Sequence, residues 1–197
     1  GSREIQRKLT LSSSSAASYV YKRQAMSAQT HDQILHYGIF GGFLIRRAFE
    51  LAFSTAYVFG VARPLFLEVN DVSFASPVGV GDLLVFNSRV LYTDTGRLKD
   101  YYTSNNNSNS SSTDSTSITE GYDPDQELPL VHIEVEAWVT EPEKASARLS
   151  NQFYFTFAIS KVPTEARQVR RVLPSNIDQA RRMAMRMLVD QEQDREQ

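Results

Sequence analysis

The stretch from His36 to Gly60, "HYGIFGGFLIRRAFELAFSTAYVFG", decides how the rest of the chain is read. It opens on two glycines, Gly41 and Gly42, and continues as a long apolar run with Arg46, Arg47 and Glu50 in its middle. From Phe43 the pattern is helical, because Leu44, Ala48, Leu51, Ala52 and Thr55 recur at three- and four-residue steps. Gly60, with Pro64 soon after, marks the helix stop. Apolar residues lie nearly all round this helix, which calls for burial on more than one side.

Downstream the period changes from helix to strand. "LFLEVNDVSF" (65–74) is β-rich and is followed by the turn cluster "ASPVGVGD" (75–82). "LLVFNSRVLYT" (83–93) is a second strand, ending at the turn "DTGR" (94–97). Residues 103–127 are polar and of low complexity, read as a disordered insertion within a hairpin. In "LVHIEVEAWV", Val131, Ile133, Val135, Ala137 and Val139 share one face, and His132, Glu134, Glu136 and Trp138 the other. In "QFYFTFAI", Phe153, Phe155, Phe157 and Ile159 share a face. "PSNIDQARRMAMRMLVDQ" (174–191) is an amphipathic helix with Ser175 as N-cap and Asp178 as its partner. Met183, Met185 and Met187 read as its packing stripe.

A single all-round-apolar helix followed by antiparallel strands implies a curved sheet wrapped around that helix, an α+β architecture. The expected layout is an N-terminal extension over residues 1–33, one domain over 34–190 and a polar tail over 191–197. Within the extension, Tyr19-Val20-Tyr21 is a candidate short strand. Gly1-Ser2 reads as a scar of tag removal and is set aside.

Composition narrows the chemistry. The chain has 197 residues, 41% of them hydrophobic, and a formal net charge of −2, so no nucleic-acid partner is expected. It has no cysteine, which removes disulfides and cysteine nucleophiles. No apolar run reaches the roughly 20 residues of a membrane span.

"GIFGGFLIRRAFELAF" followed by "VNDVSFASPVGVGDLLVF" resembles the hot-dog-fold acyl-CoA thioesterases, most closely the C-terminal hot-dog domain of the two-domain mitochondrial type. The marks are "IFGGFL" at the helix start and F-x-x-P-V-x-V-G-D, here Phe74, Pro77, Val78, Val80, Gly81 and Asp82. The resemblance covers about residues 34–190 apart from the insertion. It implies the hot-dog fold with an additional C-terminal helix, and a mitochondrial location. The implied activity is hydrolysis of acyl-CoA to fatty acid and CoA at an interface between two hot-dog units. Coenzyme A would enter as part of the substrate, with no metal and no separate cofactor. Partners would be a second copy, as a dimer or trimer of dimers, or a second hot-dog domain.

Thioester attack places negative charge on the carbonyl oxygen, and N–H groups at a helix start can receive it. Gly41, Gly42 and Phe43 are therefore the candidate oxyanion and substrate-binding residues. The resemblance also implies a carboxylate on this helix, but by spacing that position is Phe49. Glu50, one residue on, is turned by about 100°, and is either the base or an ion-pair partner of Arg46 or Arg47. The polar position before FGG falls near His36, a candidate base or water-holder, or else a surface or capping residue. Asp71 is a third candidate acid. Gly96 and Arg97 fall where such enzymes touch CoA phosphates. His31 and His132 receive no role. Two other classes compete with the enzyme: a non-catalytic hot-dog module supplying CoA binding and dimer surface, favoured by Phe49, and an enoyl-thioester hydratase.

Overall fold

The computed structural model describes residues 16–17, 21–27, 33–34, 38–39, 41–103, 123, 125–159, 171–174 and 176–196. His31, His36, Ser175 and nearly all of the low-complexity insertion lie outside them.

The described elements are, in chain order, β1 (Ala16–Ala17), β2 (Tyr21–Ser27), β3 (Gln33–Ile34), β4 (Gly38–Ile39) and α1 (Gly41–Gly60). There follow β5 (Pro64–Phe74), β6 (Leu83–Arg97), α2 (Leu98–Thr103), β7 (Glu127–Glu141), β8 (Ser146–Ile159), β9 (Arg171–Val172) and α3 (Ile177–Glu196). The main sheet has five antiparallel strands in the order β2-β6-β7-β8-β5.

The period-two pattern of β7 and β8 sets the concave face. Val131, Ile133, Val135, Ala137, Val139, Phe153, Phe155, Phe157 and Ile159 all enter the core that packs on α1. The helix contributes Leu44, Ala48, Leu51, Ala52, Thr55, Ala56 and Phe59, all buried. Burial of aliphatic and aromatic side chains at this density, about 1.5–3 kcal/mol each, is what holds α1 in the sheet's curve. Both opening glycines are helical, so α1 starts at Gly41 rather than Phe43. At the other end Gly60 is helical too, and Val61 takes the left-handed conformation (φ 53°). Gly60 is required for space instead: a Cβ there would sit 2.6 Å from Ile159 Cδ1.

Four expectations need correction. The domain does not begin at residue 34, because Tyr21–Ser27 forms an edge strand on β6. The turn cluster at 75–82 does not join two paired strands, since β5 pairs with β8 and the segment crosses the sheet end to reach β6. Its motif is structural: Gly81 has φ +94°, and Asp82 accepts from the Gly79 N–H at 2.9 Å. Residues 94–97 are not a turn either: β6 continues to Arg97, paired with Glu127, which places the insertion between two paired strands.

The fourth correction concerns α3. At its start Asn176 Oδ1 accepts from the Gln179 N–H at 2.9 Å, and Ser175 lies outside the described residues. Met185 is 63% exposed, whereas Arg186 is buried. Met183 and Met187 are partly buried, so the methionine stripe holds in part, and charge adds to the docking. Arg182 reaches Glu136 (2.6 Å) and Glu134 (3.4 Å), and Arg89 from the sheet pairs with the same two carboxylates. Arg186 pairs with Asp190 at 2.5 Å and lies over the Tyr154 ring, 4.5 Å from its centroid. His132 is buried here, bonded to Asp94 at 2.9 Å and stacked on Tyr92 at 4.1 Å.

Candidate active site at the start of the central helix

Gly41, Gly42 and Phe43 form the first turn of α1. N–H groups of a first turn have no intrahelical acceptor and carry the positive end of the helix dipole. No acidic side chain lies in that turn to neutralise it. The turn opens onto a cavity of about 250 Å³ lined by Gly41, Leu44, the 74–78 segment and Asn151. Phe74, 68% exposed, stands over the mouth. A Cβ at Gly41 would meet the Phe74 ring at 3.4 Å, an ordinary contact. Packing against the described residues therefore does not by itself demand glycine at position 41.

Two turns down the helix, at a rise of about 12 Å, Phe49 occupies the position of the expected acid. It packs edge-on against Phe66 (ring centroids 5.2 Å apart) and beside Phe53, Phe155 and Phe157 at 6.2, 6.0 and 5.9 Å. Among the described residues, no carboxylate is seen in contact with this aromatic cluster.

Glu50 points away from it. The side chain is 42% exposed and accepts from Arg47 Nη1 at 2.9 Å and Arg46 Nε at 3.3 Å. The Arg47 hydrogen bond, with the charges of both arginines, holds the Glu50 carboxyl below its usual range, which weakens it as a base. Asp71 also fails to join the site. It lies opposite Tyr154 on the convex face, 53% exposed, with Arg186 Nη1 at 3.8 Å. A bulge between Val69 and Asp71 accompanies this placement.

Gly96 and Arg97 lie at the far end of the sheet, where α1 finishes: Gly60 abuts Ile159, which pairs with Pro64. Arg97 is 14 residues beyond Leu83 along β6, roughly 45 Å of strand. Its described partner is Glu127 at 3.8 Å. A Cβ on Gly96 would sit 2.6 Å from Leu130 Cδ1, so that glycine serves packing. Among the described candidate residues, Gly41 alone lines the cavity, with Gly42 and Phe43 following it in the same helix turn. His36 lies outside the described residues.

Sequence reasoning missed Asn151. It shares the concave face of β8 with Phe153, Phe155, Phe157 and Ile159, and is 1% exposed. A polar residue at the end of an otherwise aromatic alternation was the available signal. Among the described residues no group of three or more His, Asp or Glu is placed to hold a metal ion.

No family model matches the chain. It is 40% identical over 169 residues to acyl-coenzyme A thioesterase 2, chloroplastic, of Humulus lupulus, an alignment covering 84% of this chain and 32% of that protein. It is 41% identical over 150 residues to acyl-coenzyme A thioesterase 4, mitochondrial, of the same plant, covering 76% of this chain and 23% of the relative. The chain thus spans about a third or less of the length of these relatives. The crystal structure of an apo-hexameric acyl-CoA thioesterase superposes with a TM-score of 0.63 at 16% identity, covering 89% of this chain and 91% of that one. Sequence relationship over most of its length and the shared fold agree: the chain belongs to the hot-dog-fold acyl-CoA thioesterases.

Proposed function

We propose that this chain is one hot-dog half of an organellar acyl-CoA thioesterase, hydrolysing acyl-CoA to fatty acid and CoA. The observation that carries the reading is the open cavity of about 250 Å³ at the start of α1, lined by Gly41 of a first turn that holds no acidic side chain. Water attacks the thioester carbonyl carbon, and the carbonyl π pair moves onto oxygen. A base takes the proton of the water. The Gly42 or Phe43 N–H stabilises the oxyanion, an interaction that contributes about 100- to 1,000-fold in comparable sites. Collapse of the adduct breaks the C–S bond, and the CoA thiolate leaves and takes up a proton. No metal or cofactor is required for these steps.

Among the described residues, this half offers no base beside the cavity. Phe49 fills the expected place, Glu50 is ion-paired outside the aromatic cluster and Asp71 lies on the other face. A second hot-dog unit facing α1 is the natural source of the acid, and would also bring a CoA-binding strand end such as Gly96-Arg97 towards the cavity. The short coverage of the relatives supports such a longer protein, and the hexameric neighbour supports an oligomer. The finer expectations are a dimer or trimer of dimers and a mitochondrial rather than plastid location.

The test is thiol release from short, medium and long acyl-CoAs, by this chain and by the full-length protein. The expected result is CoA binding with weak turnover for the chain alone and much faster turnover for the longer protein. Equal rates for the two, with activity abolished by Glu50→Gln, would overturn the half-site reading and make Glu50 the base.

A further inference from the structure

The concave face of β8 is apolar at every alternate position from Phe153 to Ile159, then turns polar at Asn151. That residue is opposite Ala137 on β7 and Phe74 on β5. Its side chain is buried and lines the same cavity as Gly41 and Leu44. Burying an amide is unfavourable unless its hydrogen-bonding capacity is met. Here it is met only in part. The Oδ1 accepts from Ser150 Oγ at 2.6 Å. The Nδ2 carries two hydrogens, and among the described residues its one acceptor is the Ser73 carbonyl at 3.5 Å, the outer limit of such a bond. The opposite amide orientation would set Oδ1 against the Ser73 carbonyl oxygen, so the donor end faces that side.

We propose that Asn151 is a second oxyanion donor: its Nδ2–H group hydrogen-bonds the thioester carbonyl oxygen of an acyl-CoA bound in the cavity, beside the first-turn N–H of α1. This rests on the acyl-CoA reading above. It supplies what a single helix turn lacks, since two converging donors fix the direction of the carbonyl as well as its charge. Asn151 takes no proton and forms no covalent bond. Its bond strengthens as the carbonyl π pair moves onto oxygen during attack by water. A purely structural Asn151, clamping β8 to the Ser73 carbonyl, would be indifferent to whether a ligand has a carbonyl at all.

That difference is the test. Two non-hydrolysable CoA thioethers of equal chain length are titrated by calorimetry: a 2-oxoalkyl-CoA, which bears a carbonyl, and an alkyl-CoA, which does not. The proteins are the wild type and the near-isosteric pair Asn151→Thr and Asn151→Val, of which threonine can donate and valine cannot. The expected result is a wild-type preference for the keto probe that falls about ten-fold in Asn151→Val, the loss of one hydrogen bond. Asn151→Thr keeps part of the preference, and affinity for the alkyl probe stays within about two-fold throughout. Equal loss of both probes in Asn151→Val, or loss of neither, would overturn the proposal while leaving the acyl-CoA reading intact. Failure of the wild type to bind either probe would remove both. A wild-type measurement does not depend on the variants folding: the Asn151 side-chain amide resonances of ¹⁵N-labelled protein should shift with the keto probe and not with the alkyl probe. Equal shifts with the two probes would count against the proposal.

Discussion

Phe49→Asp puts the expected acid back on α1, and the structure sets what that substitution does. Phe49 is half-buried and holds together four other rings: Phe66, Phe155 and Phe157 from the sheet and Phe53 from its own helix. Removing a fully buried phenylalanine costs about 3–5 kcal/mol. Partial exposure brings that to about 2–3 here, and a carboxylate among rings with no partner adds about 1–3. The sum, about 3–6 kcal/mol, is a large share of the 5–15 typical of a domain, so melting should fall by roughly 6–24 °C at 2–4 °C per kcal/mol. The right comparison is therefore Phe49→Asn, which suffers the same packing loss without gaining a base.

Assayed cold, with circular dichroism confirming both folds, Phe49→Asp should turn over acyl-CoA at least about ten-fold faster than Phe49→Asn. A well-placed general base contributes about 100- to 10,000-fold, and an unrefined one less. The apolar surroundings raise the new carboxyl above the ordinary aspartate value of about 3.9. The Asp rate should accordingly climb with pH through a raised apparent pKa, while the Asn rate follows no such titration. The chain has no cysteine, so a thiol-reactive dye reports released CoA without background from the protein. Equal rates in two folded, CoA-binding variants would refute the idea that a missing acid is the defect.

Glu50→Gln should leave CoA binding and turnover within about two-fold and cost no more than about 1 kcal/mol, because an exposed ion pair contributes little. Gly60→Ala should destabilise by about 1–3 kcal/mol through overpacking on Ile159; Ile159→Val, which removes the obstructing Cδ1, should recover part of that in a double-variant cycle followed by denaturant melts. Tyr92 is held neutral by burial and then by its hydrogen bond to Asp190, so its pKa is raised in the fold. Its contribution is fully present below the unfolded-state value of about 10 and is lost as pH rises beyond it, at about 1.4 kcal/mol per pH unit. Tyr92→Phe should lessen the alkaline slope of stability by that amount, and an unchanged slope would show that the phenol titrates freely in the fold.

The concave half of this fold was legible because burial there follows the period of each element. Val131 to Val139 alternate, α1 repeats at three and four, and both patterns name their core faces correctly. The convex half was not. His132, Glu134 and Glu136 alternate with the core residues on the opposite, polar face, yet all three are buried. Their partners, Arg89, Arg182, Asp94 and Asp190, lie 38 to 58 residues away in sequence, and no local pattern announces a pair so distant. Tyr21–Ser27 escaped for a related reason: "YKRQAMS" has no apolar alternation, because the strand owes its place to backbone pairing along β6. At the site, the glycine turn was legible from its motif. Asn151 was not, because its meaning depends on the first half of β8 passing beside the start of α1.

The aromatic cluster also bears on whether two copies of this chain make an enzyme. A carboxylate that activates water must be reached by that water and must keep its charge beside a thioester. Phe49 and Phe66 do the opposite, sealing the middle of α1 against the sheet with an edge-to-face contact worth about 0.5–1.5 kcal/mol beyond its buried area. On the proposed reading, a half-site with Phe49 in place of an acid gains packing without a base, and pairing it with its own copy repeats that. Two such halves offer two oxyanion turns and, among the described residues, no carboxylate beside either aromatic cluster. On the proposed reading, selection can retain that exchange only where a different unit faces α1. An unlike second domain in the same polypeptide meets that condition at every interface, because the covalent link keeps the partner's effective concentration high. Co-expression of this chain with the remainder of the longer protein should then restore turnover, whereas raising the concentration of the chain alone should not.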